Sequence, residues 1–303
     1  MLFGRWLGLL NYLLKITKMI KTKTISATIC IKEYSSIVIE AVNGYLKQTL
    51  PPLEIIVVGK KSVLKRLKEK FQRKEIVKFV NFSGEKNDAR NTAIASTKGD
   101  YVIFSDHDMV PSKNLIEECL KSLNDYGALI IPEIGAIGGK LSNKVFRLEK
   151  EIVQTDPDAA SPRLFKKSLF GKEKPFDPIF GVLDEWGFHI NLRKKKPKIG
   201  LVQNSFFKVK DGFSISERVV RSYRKGFWFK NLLRQSDAHV KRRANPFRRG
   251  IIVYFRNINI LLKEPFVAII LIFIKGIEFL AFLAGLLFSG YLIPKNIAYE
   301  KNY

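Results

Sequence analysis

Residues 101–109 read YVIFSDHDM. An apolar stretch with the character of a buried strand stops at Asp106-His107-Asp108. Carboxylates at i and i+2 after a strand converge on one point if the chain bends there. Oxygen pairs of that kind suit a hard divalent cation, which commonly also holds phosphate oxygens.

The flanking segments alternate in period. Residues 25–31, 53–58 and 76–82 are short, β-branched apolar runs and read as strands. Between them, 37–46 carries apolar residues at helical spacing and 63–71 reads as a basic helix. A short helix is expected at 88–96, a further helix at 115–124 and a fifth strand at 128–131. This alternation predicts an α/β fold, a Rossmann-like, mostly parallel sheet flanked by helices. Ligands of such sheets bind beyond the carboxyl ends of the strands, where Asp106 and Asp108 lie. No GxGxxG follows the first strand, which argues against a dinucleotide fold.

The composition narrows the partner. The 303 residues carry a formal net charge of +25, yet 46% are hydrophobic, too apolar for a disordered basic tail. Two cysteines, Cys30 and Cys119, exclude a disulfide scaffold and a Cys-based metal cluster. Such a charge calls for nucleic acid, anionic lipid or a phosphorylated substrate. Its location favours lipid. Residues 193–263 hold 20 Lys and Arg against Asp211, Glu217 and Asp237. Directly afterwards comes an apolar run, 265–293, broken by Lys275 and Glu278. A basic block beside an apolar segment predicts a membrane contact with the basic residues on the cytoplasmic side.

The run is long enough for one tilted span or for two short helices breaking near 275–276. Lys275 and Glu278 can pair as i,i+3 neighbours. Ala281, Gly285 and Ser289 form a small-residue stripe suited to close helix packing. At the other end, residues 1–20 place Arg5, Gly8, Asn11, Lys15 and Lys18 on one stripe, the pattern of a basic amphipathic helix lying in the interface. The expected organisation is an interfacial helix at 1–20 and a catalytic domain at 21–235. A basic juxtamembrane segment at 236–264, a membrane segment at 265–293 and a polar tail at 294–303 follow.

Residues 41–58, AVNGYLKQTLPPLEIIVV, and 88–108, DARNTAIASTKGDYVIFSDHD, carry a resemblance. They are similar to the first helix, QT turn and second strand, and to the ARN helix, strand start and DxD, of the family-2 glycosyltransferases of the GT-A fold. Residues 163–202 resemble the acceptor half, with an aromatic-basic strand, a PFD turn, an acidic-Trp helix start and a KIG strand. The resemblance implies metal-dependent transfer of a sugar from a nucleotide-sugar donor, commonly with inversion, with Mg²⁺ or Mn²⁺ as cofactor. It implies that Asp108 ligates the metal and that Asp106 binds the nucleotide ribose or the metal. Arg90 would orient the nucleotide side or the DxD carboxylates. Glu185 aligns with the family's general base, and Asp184 is the runner-up.

Two departures leave the nucleotide open. The second strand is followed by Val58-Gly59-Lys60-Lys61-Ser62, without the acid often found there. Ile31-Lys32-Glu33-Tyr34-Ser35 replaces the commoner Pro-Thr-Tyr-Asn, and Glu33 is the acid that would take over some nucleotide contact.

The expected function is therefore a membrane-attached glycosyltransferase whose catalytic domain faces the cytoplasm. Its acceptor would be lipid-linked, of the polyprenyl-phosphate type, with anionic lipids as further partners. Alternatives are a polyprenyl-phosphate sugar synthase or a non-catalytic scaffold of the same fold. A nucleic-acid-binding protein is a remote alternative, and nucleic acid is not expected as a partner, because no zinc spacing or RNA-binding signature accompanies the basic residues.

Overall fold

The computed structural model describes residues 23–135, 140–156, 158–209, 214–234, 245 and 248–289. The expected interfacial helix at 1–20 and the tail at 294–303 lie outside the described residues.

The chain begins with β1 (Ile25–Cys30), α1 (Ser36–Leu46), β2 (Glu54–Gly59), α2 (Lys61–Phe71), β3 (Val77–Asn81), α3 (Lys86–Ala95) and β4 (Tyr101–Asp106). All six residues of β1 and of β2 are buried, the signature of parallel strands covered on both faces. Ser35 starts α1 by accepting a hydrogen bond from the Val38 amide through its side chain. Next come β5 (Met109–Pro111), α4 (Leu115–Ser122), β6 (Ala128–Ile130), β7 (Glu133–Ile134), α5 (Leu141–Val153) and β8 (Leu164–Lys166). A 3₁₀ segment, Pro178–Leu183, leads into α6 (Asp184–Lys194). The remaining elements are β9 (Ile199–Leu201), β10 (Phe207–Val209), α7 (Ile215–Leu233), short helical turns between Arg248 and Leu261, and α8 (Pro265–Phe288).

Seven strands form the main sheet in the order β3-β2-β1-β4-β8-β6-β9. β1 pairs in parallel with β2 and β4, and only β8 runs against its neighbours. This is the mostly parallel α/β sheet that the alternation predicts. β5, β10 and β7 make a small second sheet. Five phenylalanines (Phe104, Phe165, Phe170, Phe176 and Phe188) pack into one cluster that ties β4 and β8 to α6. The cluster positions the carboxyl end of β4 beside the first turn of α6.

The C-terminal apolar run is a single continuous helix among the described residues. α8 packs on α7 with unusual intimacy. A Cβ on Gly226 would meet the Phe282 carbonyl oxygen at 1.9 Å, and one on Gly285 would meet the Tyr223 carbonyl oxygen at 2.0 Å. Backbone touches backbone, as the small residue at 285 permits. Lys275 and Glu278 pair at 2.8 Å, and both also reach inward. Lys275 bridges to Glu149 of α5, and Glu278 forms an ion pair with Arg218 of α7 at 2.6 Å. Arg218 closes the ring on Glu149 at 2.6 Å.

Because neither backbone can recede without parting the helices, Gly285→Val is expected to destabilise the fold by about 1–3 kcal/mol, the usual cost of overpacking. A lowered urea midpoint relative to the parent checks this, and an unchanged midpoint would show that the contact is loose.

Candidate active site

The turn after β4 is the floor of the site. β4 runs parallel to β1 with Asp106 opposite Cys30, so its carboxylate emerges past the sheet's carboxyl edge. Asp184 and Glu185 open α6, where acids complement the helix dipole. The preceding 3₁₀ segment needs Gly181, whose φ of 49° is left-handed. A Cβ there would also strike the Trp228 ring at 2.5 Å.

Arg90 joins these two pieces. It is 2% exposed, and its two terminal nitrogens point at different carboxylates. Nη1 donates to Asp184 Oδ2 at 2.6 Å and Nη2 to Asp106 Oδ1 at 2.5 Å. Lys86, one turn earlier on α3, lies 3.2 Å from Asp184 Oδ2 and 3.6 Å from Asp106 Oδ1. The next residue, Asn91, clamps Phe176 through its main chain, donating to the carbonyl at 2.6 Å and accepting from the amide at 3.0 Å. The ARN helix thus fastens the DxD turn to the segment that carries α6.

A second arginine works from the other side. Arg163, just before β8, is also buried. Its Nη2 sits 2.9 Å from Glu185 Oε1 and 2.8 Å from Glu133 Oε1, and its Nη1 is 3.6 Å from Asp106 Oδ2. Lys150 of α5 pairs with Glu133 as well. Four carboxylates and four cations are interleaved, which is how a buried charge cluster stays tolerable.

The fields follow from this layout. Burial alone would raise the Asp106 carboxyl, but Arg90, then Lys86 and Arg163, hold it well below the usual carboxylate range. Burial also pushes Glu185 upward, yet Arg163 overrides it. With Arg90 and Lys86 added, and Asp106 opposing, the carboxyl is pulled down to about 2. Asp108 goes the other way. Its burial and then the neighbouring Asp106 charge raise it, and among the described residues it has no ion pair. On Arg90, desolvation is outweighed by Asp106, Asp184 and Glu185, so the guanidinium is held charged.

All of these groups except Arg90 line one cavity of about 450 Å³. Its walls also include Lys32, His107, Arg221, Arg224, Lys225 and Trp228. Glu33 is exposed on the turn after β1 and does not line the cavity, whereas its neighbour Lys32 does.

Residues 26–187 match the family model described as glycosyl transferase family 2. That is more than half of the chain. The chain belongs to glycosyl transferase family 2. A search of curated proteins returned no match. Among solved structures the chain resembles TarS of S. aureus, with a TM-score of 0.51 and 17% identity over 74% of this chain. It covers 42% of that longer TarS chain. TarS 1–349 aligns over 89% of this chain and 93% of its own, with a TM-score of 0.50 and 15% identity. TarS 1–349 in complex with UDP-GlcNAc aligns over 88% of this chain, with a TM-score of 0.50 and 14% identity. At this identity the likeness concerns the fold, which is of the GT-A type.

In this family-2 enzyme, Asp106, Arg90, Asp184 and Glu185 converge as one group. Sequence reading does not find Lys86, Glu133, Lys150 or Arg163. A signal existed for Lys86, since it precedes Arg90 by four residues and so shares its helix face. Arg163 carried none, because its partners come from 133 and 185.

Glu185 is ionised throughout the neutral range, and its charged form is lost only as pH falls through about 2. Removing the cation that holds it down must move this transition upward. Arg163→Gln is therefore expected to bring an acidic limb into the kcat/KM profile, nearer the ordinary glutamate range. A profile identical to that of the parent down to pH 5 would show that Arg163 does not tune Glu185.

Proposed function

We propose that this chain catalyses metal-dependent, inverting transfer of a sugar from a nucleotide-sugar donor to a membrane-associated, polyprenyl-phosphate-linked acceptor. The observation that carries the reading is the pairing, in one cavity, of an unneutralised Asp108 with a carboxylate base at Glu185. Asp108 suits a divalent cation. It offers oxygen, its carboxyl is raised by burial and by Asp106, and a cation would relieve both effects. Among the described residues no three His, Cys, Asp or Glu side chains gather into a full cage. The other ligands of the cation would be diphosphate oxygens and water. Asp108 and Asp106 would hold Mg²⁺ or Mn²⁺, and the bound ion would supply Lewis-acid stabilisation of the departing diphosphate.

The chain's own residues do the rest. Arg90 and Lys86 fix Asp106 and Asp184 in place. Glu185 accepts the proton of the acceptor hydroxyl as that oxygen attacks the anomeric carbon. Arg163 and Arg90 approach it at Oε1, and Oε2 is the oxygen assigned to the hydroxyl. Asp184 is the weaker candidate base, since Arg90 and Lys86 both bind its Oδ2. Glu33 is assigned a rim contact to the nucleotide, beside Lys32. Arg221, Arg224 and Lys225 of α7 give the cavity a cationic wall suited to the acceptor's phosphate. The domain faces the cytoplasm, with the apolar C-terminal helix as its membrane contact.

The test is a donor screen with the purified full chain, a membrane lipid extract and Mg²⁺ or Mn²⁺. UDP-GlcNAc comes first, because a TarS structure holds it, followed by other UDP-, GDP- and dTDP-sugars. Acceptor-dependent release of nucleoside diphosphate is expected, and its absence with every donor would overturn the reading. Arg221→Ala with Arg224→Ala should raise the acceptor KM about 10-fold, a typical loss for a charge-assisted hydrogen bond, with the donor KM unchanged.

A further inference from the structure

α8 has two faces along its whole length. Val267, Ala268, Leu271, Ile274 and Gly285 are buried. Together with Val145, Leu148 and Ile152 of α5, the first four of these form an apolar cluster. Lys275 and Glu278 also point to this side, into the ring with Glu149 and Arg218. The opposite stripe carries Phe266, Ile269, Phe273, Leu280 and Leu287, each at least 67% exposed. Phe266, Phe273, Leu280 and Leu287 are spaced by seven residues with Ile269 between the first two, so they form one outer seam that turns slowly around the helix. Phe255 and Leu262, ahead of the helix, are exposed too.

A helix crossing a bilayer is surrounded by lipid or by other apolar helices. α8 instead has α7 against it, a helix carrying Arg218, Arg221, Arg224, Lys225 and Lys230. The two are closely packed, because Gly226 and Gly285 set backbone on backbone. Sending α8 through the membrane would draw those cations in with it, at a cost of several kcal/mol each near the centre. Lying flat, the helix buries only its seam. Arg256 and Lys263, in the turns just ahead of α8, are exposed like Phe255 and Leu262 among them, and such cations suit anionic headgroups.

We propose that α8 does not span the bilayer but lies in the plane of one anionic leaflet, outer seam down, as a monotopic anchor. This rests on the membrane-associated reading above and specifies its form. A helix of 24 residues is about 36 Å long, ample for a span by length alone. The facing domain, not the length, decides against it.

The experiment maps depth along the helix in the full-length protein. Single cysteines are placed at 266, 269, 273, 276, 280 and 287 on the seam, and at 270, 277 and 281 between the faces. Each is given an environment-sensitive fluorophore. Cys30 and Cys119 are buried and so stay unlabelled. The proteins are bound to phosphatidylglycerol vesicles containing lipids brominated at defined acyl depths. Equal, shallow quenching along the seam, weaker between the faces, is expected, at about 5–10 Å below the headgroups. A single deep maximum near the helix centre, with shallow ends, would overturn the in-plane arrangement while keeping the membrane reading. No vesicle binding by the parent would overturn both, and a dimer in solution would assign the seam to a second copy. Ile269→Asp with Phe273→Asp should reduce the vesicle-bound fraction at least 10-fold at an unchanged thermal midpoint. Binding equal to that of the parent would overturn the seam. Donor turnover on a detergent-dispersed acceptor reports the enzyme reading separately.

Discussion

Glu185→Gln should lower kcat for sugar transfer by about 10³-fold, within the 10²–10⁴ range that a positioned general base contributes. The amide keeps the size and the hydrogen-bonding reach of the side chain but cannot take a proton. Donor affinity, followed by titrating nucleotide sugar against the variant, should stay within about 2-fold, because the change removes no proposed donor contact. The same variant separates two chemistries. A hydroxyl acceptor must lose a proton as it attacks, whereas a polyprenyl phosphate oxygen is already ionised and needs no base. A near-normal rate in Glu185→Gln would therefore mean that the nucleophile is the phosphate itself, or that Asp184 is the base. The double variant with Asp184→Asn distinguishes these, since only the second case would then lose activity.

Asp108→Ala is expected to cost about 10²–10⁴-fold in kcat/KM, the loss of several kcal/mol of charge stabilisation on the leaving diphosphate. The carboxylate is raised by its surroundings, so the apo site favours anything that neutralises it. Metal affinity should accordingly fall with turnover, and raising Mn²⁺ should restore part of the rate. Isothermal titration of Mn²⁺, with and without nucleoside diphosphate, measures the two together. A variant with full turnover and unchanged metal affinity would move the metal elsewhere. Asp106→Ala should behave differently. Asp106 is anchored by Arg90, Lys86 and Arg163, so its removal takes one carboxylate partner from each of these cations, which keep Asp184, Glu185 and Glu133, and adds a loss of stability.

Much of this was legible in the residues. β1, β2 and β4 announce themselves because strands covered on both faces read as near-continuous apolar runs, with few polar residues such as Ser26, Thr28 and Glu54. The acids at 106, 108, 184 and 185 stand out because they interrupt such runs or open a helix. What stayed hidden depended on distant segments meeting. β8 is only three residues long, and nothing local says that it enters the sheet against its neighbours. Glu133 belongs to a two-residue strand, and its partners Lys150 and Arg163 come from a helix and from a loop before a strand. The apolar run at the C-terminus was plain. Its two-faced character was not, since the inward face is defined by α5 and α7 rather than by its own composition.

α7 has a consequence for how the enzyme is handled. One side of it, with Arg221, Arg224, Lys225 and Trp228, walls the candidate cavity. Another side is fused to α8 through Gly226. Trp228 in turn packs on Gly181, three residues before the helix that carries Glu185. Trimming the greasy C-terminus to obtain a better-behaved protein would thus take away the back wall of the reaction chamber's own scaffold. α8 is a structural member of the same body as the candidate site, and the enzyme should be purified with that helix in place.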